Sequence, residues 1–278
     1  LSLAEKIVLD DIVTGFVELV FNQSRNEIWV SQMLTPSIHI LDGDTYQPLR
    51  VIPSGGEWPK VLAFSSDENT AYASHWITKD VSFIDVHSGD LTALVPIPGI
   101  PRGLAVSKNS RELYAANFTT GALEIINREQ KLITDTVETG PGAMRHVVLD
   151  SAGVAAFASD MYTGRITAID LRDRSFRKSG RLASNPNTIV LSSDDRYLFV
   201  SCRGRNNDVD YRMKSPERGK IFILDTRTLE IVDWIWGGNQ PTGLALSPDN
   251  SMMVFSNFFD NTIELHDISG LWSSLTSR

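Results

Sequence analysis

A repeat of 42 or 43 residues constrains the fold of this chain more than any other feature of its sequence. Apolar anchors lie at Leu19, Leu62, Leu104, Val147, Ile189 and Leu244. Consecutive anchors are 42 or 43 residues apart, except for the last two, which are 55 residues apart. Ten residues after each anchor comes a second one, aromatic in five of six cases, at Trp29, Tyr72, Tyr114, Phe157, Phe199 and Val254. This constant spacing predicts two antiparallel strands that pair in the same register in every unit.

Each unit continues beyond this pair of strands. An acidic or amide residue lies 13 residues after the second anchor in five units, and 26 residues after it in the fifth unit, at Asp42, Asp85, Asn127, Asp170, Asp225 and Asp267. Polar turns, such as residues 65–69, 192–195 and 247–250, separate the first two strands and are rich in side chains that bond to nearby backbone. We interpret the recurring Asp as turn chemistry, because a catalytic residue would not be needed in every unit.

Four short strands in each unit of this length predict an all-β fold, a β-propeller in which every unit is one blade. The predicted blades start near residues 16, 59, 101, 144, 186 and 241 of a single domain spanning residues 1–278. Residues 1–13 have the pattern of a fourth strand and are predicted to complete the last blade. This gives six four-stranded blades and hides two sheet edges. The alternative is seven blades, if residues 269–278 supply that strand instead.

Composition excludes several classes of protein. The net charge of −8 opposes a general affinity for nucleic acid, since phosphate binding depends on Lys and Arg. No apolar run reaches the roughly 18 residues that a membrane helix requires. Cys202 is the lone cysteine, so no disulfide within the chain can form, and we expect a core residue. We predict no cofactor. We also predict no metal, because Asp208 and Asp210 lack the spaced oxygen ligands of a calcium loop. The start at Leu1 suggests a processed form or an excised domain.

Several segments carry a resemblance to a known family. Residues 113–117 (Leu-Tyr-Ala-Ala-Asn), their counterpart at residues 253–257 and the blade opening at residues 237–249 resemble the repeats of YVTN propellers. That family includes surface-layer-like proteins, exported binding proteins and lactonase-like enzymes. The resemblance implies a propeller that is exported to the periplasm or cell surface. Family members commonly have seven blades, so six blades depart from the pattern.

In a propeller, the loops between blades and the loops joining second to third strands emerge together around one mouth of the central channel. Three of the six blade-opening positions are cationic, namely Lys60, Arg102 and Arg145. They predict a mouth that attracts anions; pairing of each with a carboxylate is the alternative. The strand ends add further candidate ligand-binding side chains at His75, Asn117 and Asp160.

The fifth unit carries an insertion of 13 residues, within residues 203–218. Long loops in a regular repeat are commonly functional or disordered. Its five basic residues and one tyrosine predict a cationic loop over the mouth that binds an acidic partner or covers an anion. The candidate ligand-binding residues are Arg203, Arg205, Tyr211 and Arg212. A solvated, mobile loop is the alternative.

The sequence favours a non-enzymatic propeller that binds a ligand or a protein through this loop face, with a protein or a small anion as partner. Arg145 and His146 resemble the Arg-His pair of lactonase-like propellers, so a lactonase-like hydrolase is the alternative. In such a hydrolase the arginine would stabilise an oxyanion and the histidine would act as general base. Trp234 and Trp236 lie two apart on an outer strand and are predicted to fill the gap between blades.

Overall fold

The computed structural model describes residues 15–271, which hold 23 β-strands in six antiparallel sheets. Within that range, five sheets have four strands and the last has three. The repeats are called blades from here on, because the chain also divides into two larger compact units. The first unit comprises Leu1–Phe118 with Leu123–Thr136, and the second comprises Thr119–Ala122 with Val137–Arg278. The single domain over residues 1–278 remains a prediction.

The first unit contains the first three sheets. The first sheet comprises β1 (Phe16–Asn22), β2 (Glu27–Gln32), β3 (Ser37–Asp42) and β4 (Pro48–Pro53). The second comprises β5 (Pro59–Phe64), β6 (Thr70–His75), β7 (Asp80–Asp85) and β8 (Leu91–Pro96). The third comprises β9 (Pro101–Val106), β10 (Glu112–Asn117), β11 (Leu123–Asn127) and β12 (Leu132–Val137).

The second unit contains the other three sheets. The fourth sheet comprises β13 (Met144–Leu149), β14 (Ala155–Asp160), β15 (Arg165–Asp170) and β16 (Phe176–Lys178). The fifth comprises β17 (Pro186–Leu191), β18 (Tyr197–Cys202), β19 (Lys220–Asp225) and β20 (Ile231–Trp236). The sixth comprises β21 (Pro241–Leu246), β22 (Met252–Asn257) and β23 (Thr262–Asp267).

The fold class predicted from the repeat, an all-β propeller with six blades, is confirmed. The first strands of the sheets begin at the predicted positions, from Phe16 to Pro241. The strand predicted at residues 1–13, and most of the tail on which the seven-blade alternative depends, lie outside the described residues.

The second-strand anchors lie in the core of the blades, and strands such as β18 are buried on both faces. Trp29, Tyr72, Tyr114 and Phe199 are fully buried. Near-continuous apolar stretches of this kind are typical of strands buried on both faces. Among the first-strand anchors, Leu19 differs from the pattern and is 61% exposed.

A serine near the end of the second strand links consecutive blades within each unit. In the first unit, Ser74 Oγ accepts from Val61 N and donates to the carbonyl of Arg102 at 2.9 Å. In the second unit, Ser159 Oγ likewise accepts from His146 N and donates to the carbonyl of Asn187 at 2.6 Å. The link lies at the β-bulge of each first strand. It therefore fixes the backbone of the blade-opening positions that were predicted to carry the site.

The predicted turn chemistry is confirmed. Asp85 Oδ1 accepts from the backbone N–H groups of His87 and Ser88 at 2.9 and 2.8 Å, and Asp42 accepts from Thr45 in the same way. These backbone donors hold the pKa of both carboxyls below its usual range. In the polar turn after β21, the hydroxyl of Ser247 lowers the pKa of Asp249 to about 2. The recurring carboxylates therefore close turns.

These turns predict a specific response to acid. A carboxyl whose pKa is lower in the folded chain than in the unfolded chain stabilises the fold above its unfolded pKa, and this contribution is lost as the pH falls through the folded pKa. We expect the thermal midpoint to hold down to about pH 4 and to fall steeply between about pH 4 and pH 2. Circular dichroism melts across this range measure it. A midpoint that stays constant down to about pH 2 would contradict the assignment, and Asp249→Asn should flatten the profile slightly.

Candidate binding face

The polar residues that end the second strands hold the blade-opening turns. Asp160 Oδ1 accepts from Ala143 N at 2.9 Å, and Asn257 Oδ1 accepts from Gly238 N at 2.8 Å. A glycine occupies the turn because a Cβ on Gly142 would overlap the Asp160 carboxylate. The structure thus gives Asp160, predicted to bind a ligand, a bond to the backbone of its own blade.

In the first unit, the polar residues that end the second strands contact the third strand of their own blade. His75 is fully buried, and its Nδ1 lies 2.7 Å from Asp80 Oδ1. Asn117, also fully buried, donates to Glu124 Oε1 at 2.9 Å. Both candidate ligand-binding residues therefore have a contact inside their own blade.

The two cationic openings of the first unit differ in their surroundings. Lys60 Nζ lies 5.1 and 5.7 Å from the ring centroids of Trp58 and Trp76, and 2.6 Å from Met33 Sδ. An ammonium over indole faces is a favourable cation–π arrangement. Arg102 is only 9% exposed.

In the second unit, Arg145 and His146 each contact the next blade. Arg145 Nε donates to Asn187 Oδ1, and His146 Nδ1 lies 3.4 Å from the backbone nitrogen of Ile189. An Nδ1 that accepts from a backbone N–H leaves the ring proton on Nε2. The structure therefore places both side chains of the predicted lactonase-like pair against β17.

Arg203 occupies a position that is apolar in the other five blades. The residue directly after the second strand is Met33, Trp76, Phe118, Met161, Arg203 or Phe258 in turn. Arg203 donates to Gln240 Oε1, and burial lowers the pKa of its guanidinium. Comparing these aligned positions in the sequence would have revealed Arg203 as the exception.

Arg203 and two further residues of the fifth and sixth blades carry buried N–H donors. Asn187 Nδ2, Arg203 Nε and Gln240 Nε2 have no hydrogen-bond partner among residues 15–271. Asn187 and Gln240 are at most 1% exposed. Buried donors of this kind favour an acceptor such as a carboxylate or phosphate oxygen. Neither Asn187 nor Gln240 is among the ligand-binding residues predicted from the sequence.

The insertion at residues 203–218 is pinned to the sixth blade. Ser215 N donates to Asn239 Oδ1, and Asn239 Nδ2 donates back to the Ser215 carbonyl, both at 2.9 Å. Asp260 holds Lys214 Nζ at 2.8 Å and Asn239 N at 2.6 Å, and these donors keep its pKa below the usual range. The loop is therefore built onto the residues that open β21.

Most of the positive charge of the insertion is neutralised. Arg205 lies 3.5 Å from Asp208 and 3.8 Å from Glu217, while Arg212 forms a bidentate pair with Asp210. Lys214 pairs with Asp260. Within the described residues, Arg203 and Arg218 are the basic side chains of the loop that form no ion pair. The predicted cationic surface is thus reduced by carboxylates that the composition of the segment already contained.

The insertion exposes apolar side chains alongside these charged ones. Val209 is 86% exposed, Tyr211 66% and Met213 50%. The corresponding loops of the fourth and sixth blades expose Tyr162 and Phe258. We call these five residues, all in the second unit, the apolar tips. Exposed aromatic and apolar groups among polar neighbours are typical of interaction surfaces.

No three His, Cys, Asp or Glu side chains within residues 15–271 are grouped closely enough to hold a metal ion. Nor does any helix there combine the length and apolar character required to cross a bilayer.

The six antiparallel sheets define a β-propeller. Solved structures share this fold. Hydrazine synthase of Kuenenia stuttgartiensis matches with a TM-score of 0.81 at 15% identity, covering 100% of this chain and 83% of that one. A candidate 6-phosphogluconolactonase of Bacteroides uniformis matches with a TM-score of 0.74 at 15% identity, covering 90% and 80%. Likeness at this identity concerns the fold alone.

Two curated relatives are similar in sequence. Antigen Lp49 of Leptospira interrogans is 36% identical over 264 residues, which cover 92% of this chain and 58% of the relative. A seven-bladed β-propeller protein of Mycobacterium tuberculosis is 23% identical over 148 residues, covering 52% of this chain and 35% of that protein. The chain thus spans less than two thirds of the length of either relative. No established family profile matches the chain.

Proposed function

We propose that this chain is a non-enzymatic binding propeller that engages a partner protein through the apolar tips. The observation that carries the proposal is the insertion, which is fixed by reciprocal bonds to Asn239 and yet presents Val209 and Tyr211 to solvent. A preorganised loop loses little conformational entropy on binding, and exposed aromatic residues are frequent energetic centres of interfaces. The buried N–H groups of Asn187, Arg203 and Gln240 would donate hydrogen bonds to a carboxylate of the same partner.

We further propose that the chain belongs to the exported YVTN-type propellers. The repeat sequences support this assignment, as does the similarity to a Leptospira protein named as an antigen. A periplasmic or cell-surface location follows from the same proposal.

The experiment is capture of a partner from an envelope extract of the source organism by immobilised protein. Wild type is compared with a Val209→Ser, Tyr211→Ser double variant. The matched control is Leu49→Ser with Val51→Ser, which changes two similarly exposed residues on β4. We expect wild type and control to retain the same partner protein. The amount that the loop variant retains should be at least about tenfold lower, since truncating interface anchors typically costs more than 1–2 kcal/mol of binding free energy. Equal capture by all three proteins would refute the proposal.

A second assay separates binding from hydrolysis. Purified protein is incubated with sugar and aliphatic lactones, together with Arg145→Ala and His146→Ala variants. We expect no turnover above background. Turnover that both substitutions abolish would establish the lactonase-like alternative instead.

A further inference from the structure

The fifth blade carries a groove that the proposed function does not use. Its volume is about 530 Å³, and it lies entirely in the second unit, lined by Ala183, Cys202, Arg218, Gly219, Lys220 and Trp236 among others. Pockets for small ligands commonly measure roughly 300–1,000 Å³. Buried Cys202 and the small residues leave the lining mostly apolar.

Two tryptophans stand beside this groove instead of filling a gap between blades. Trp234 is 40% exposed and Trp236 is 48% exposed, so the prediction that they fill that gap is wrong. Their rings meet edge to face at 5.3 Å. The reason is the register of β20, which pairs Trp234 with Phe222 and Trp236 with Lys220 on the outermost strand.

The charged groups that line the groove are two cations, Lys220 and Arg218, and the carboxylate of Glu217, which lies 3.8 Å from Arg205. Lys220 Nζ lies 4.0 and 4.5 Å from the ring centroids of Trp234 and Trp236, and the Arg218 guanidinium lies 5.7 Å from Trp236. Within residues 15–271 neither cation forms an ion pair. The indole rings hold the ammonium in place but leave its charge without a counter-ion. Lys220 and Arg218 therefore place two positive charges beside Trp236 in the groove.

We propose that this groove binds a small organic anion, with its apolar body against Cys202, Gly219 and Trp236 and its anionic group at Lys220 and Arg218. An apolar wall supplies most of the binding free energy, and charge-assisted contacts at one end orient the ligand. The two cations select against neutral analogues of the same shape.

The test uses two fluorescent probes that differ in one group. 8-Anilinonaphthalene-1-sulfonate is the anion, and N-phenyl-1-naphthylamine is the same skeleton without the sulfonate. We expect wild type to bind the anion at least about fivefold tighter than the neutral probe. Lys220→Met should abolish this preference while leaving affinity for the neutral probe within about twofold.

The matched control is Lys178→Met on β16, where the ammonium lies 6.0 Å from the Phe176 ring but outside the groove. This substitution should leave the preference intact. A Ser184→Trp variant, which places a large side chain in the groove lining, should remove binding of both probes. Thermal melts establish that each variant is folded. Anion binding that persists in Lys220→Met or in Ser184→Trp would overturn the proposal, as would the absence of anion binding by wild type.

Discussion

Replacing Asp160 by alanine is expected to lower the free energy of unfolding by roughly 2–4 kcal/mol, because three hydrogen bonds to a buried carboxylate are lost. Asp160 is 1% exposed, and its Oδ1 accepts from the backbone N–H groups of Ala143, Tyr162 and Thr163 at 2.9, 2.9 and 3.1 Å. Alanine leaves these donors to be satisfied by water that must enter a closed turn. Urea denaturation, with the slope of the transition held constant, measures the change.

Two control variants make this prediction sharp. Asp160→Asn keeps the accepting oxygen, and asparagine already occupies the same position in β10 and β22, so we expect a loss below about 1 kcal/mol. Asp233→Ala removes an exposed carboxylate on β20 and should be nearly neutral. If Asp160→Ala proves as stable as wild type, the residue does not brace the turn, and its predicted role in ligand binding regains its basis.

A single methyl group at Gly219 is expected to disturb the base of the insertion. A Cβ there would overlap the ring of Pro241 and lie 2.5 Å from the carbonyl oxygen of Cys202. Neither group is the flexible end of a side chain, so β19 must shift. We expect Gly219→Ala to cost roughly 2–3 kcal/mol of unfolding free energy, as overpacking of a close contact does. It should also weaken partner capture, since Gly219 N donates to the Gly238 carbonyl at 2.8 Å beside the segment that pins the loop.

The matched control is Gly180→Ala, because a Cβ at that exposed glycine meets no atom within 4 Å. Both variants add the same methyl group and lose the same backbone freedom, so their difference isolates the contact with Pro241. Unchanged urea midpoints for both would show that β19 can move away at little cost.

The blades themselves follow from the sequence. The spacing between anchors such as Leu104 and Tyr114 predicted the register in which β9 and β10 pair. The positions of Asp85 and Asp249 predicted turns that the structure contains. Such features depend on residues that are close in the chain, where alternation along a strand and side-chain bonds to nearby backbone act locally.

The candidate site could be predicted from the sequence only in part. The position of the insertion was predicted, and so were Arg145 at a blade opening and Arg203 in the insertion. Its surface was not, because the charge of a segment does not reveal which carboxylates lie within 4 Å of each base. Arg212 pairs with Asp210 two residues away, while Lys214 finds Asp260 46 residues away in the sixth blade.

By itself, then, the sequence determined an all-β propeller of six repeated units, with their strand order, register and turns, because each repeat encodes its own sheet. Only the tertiary structure decided that the half-buried Arg203 donates to Gln240, 37 residues further along the chain, and that Lys220 lies over two exposed tryptophans. Those arrangements arise where neighbouring blades or outer strands meet. There the outcome depends on the packing of side chains from distant segments, which the periodicity of a repeat does not specify.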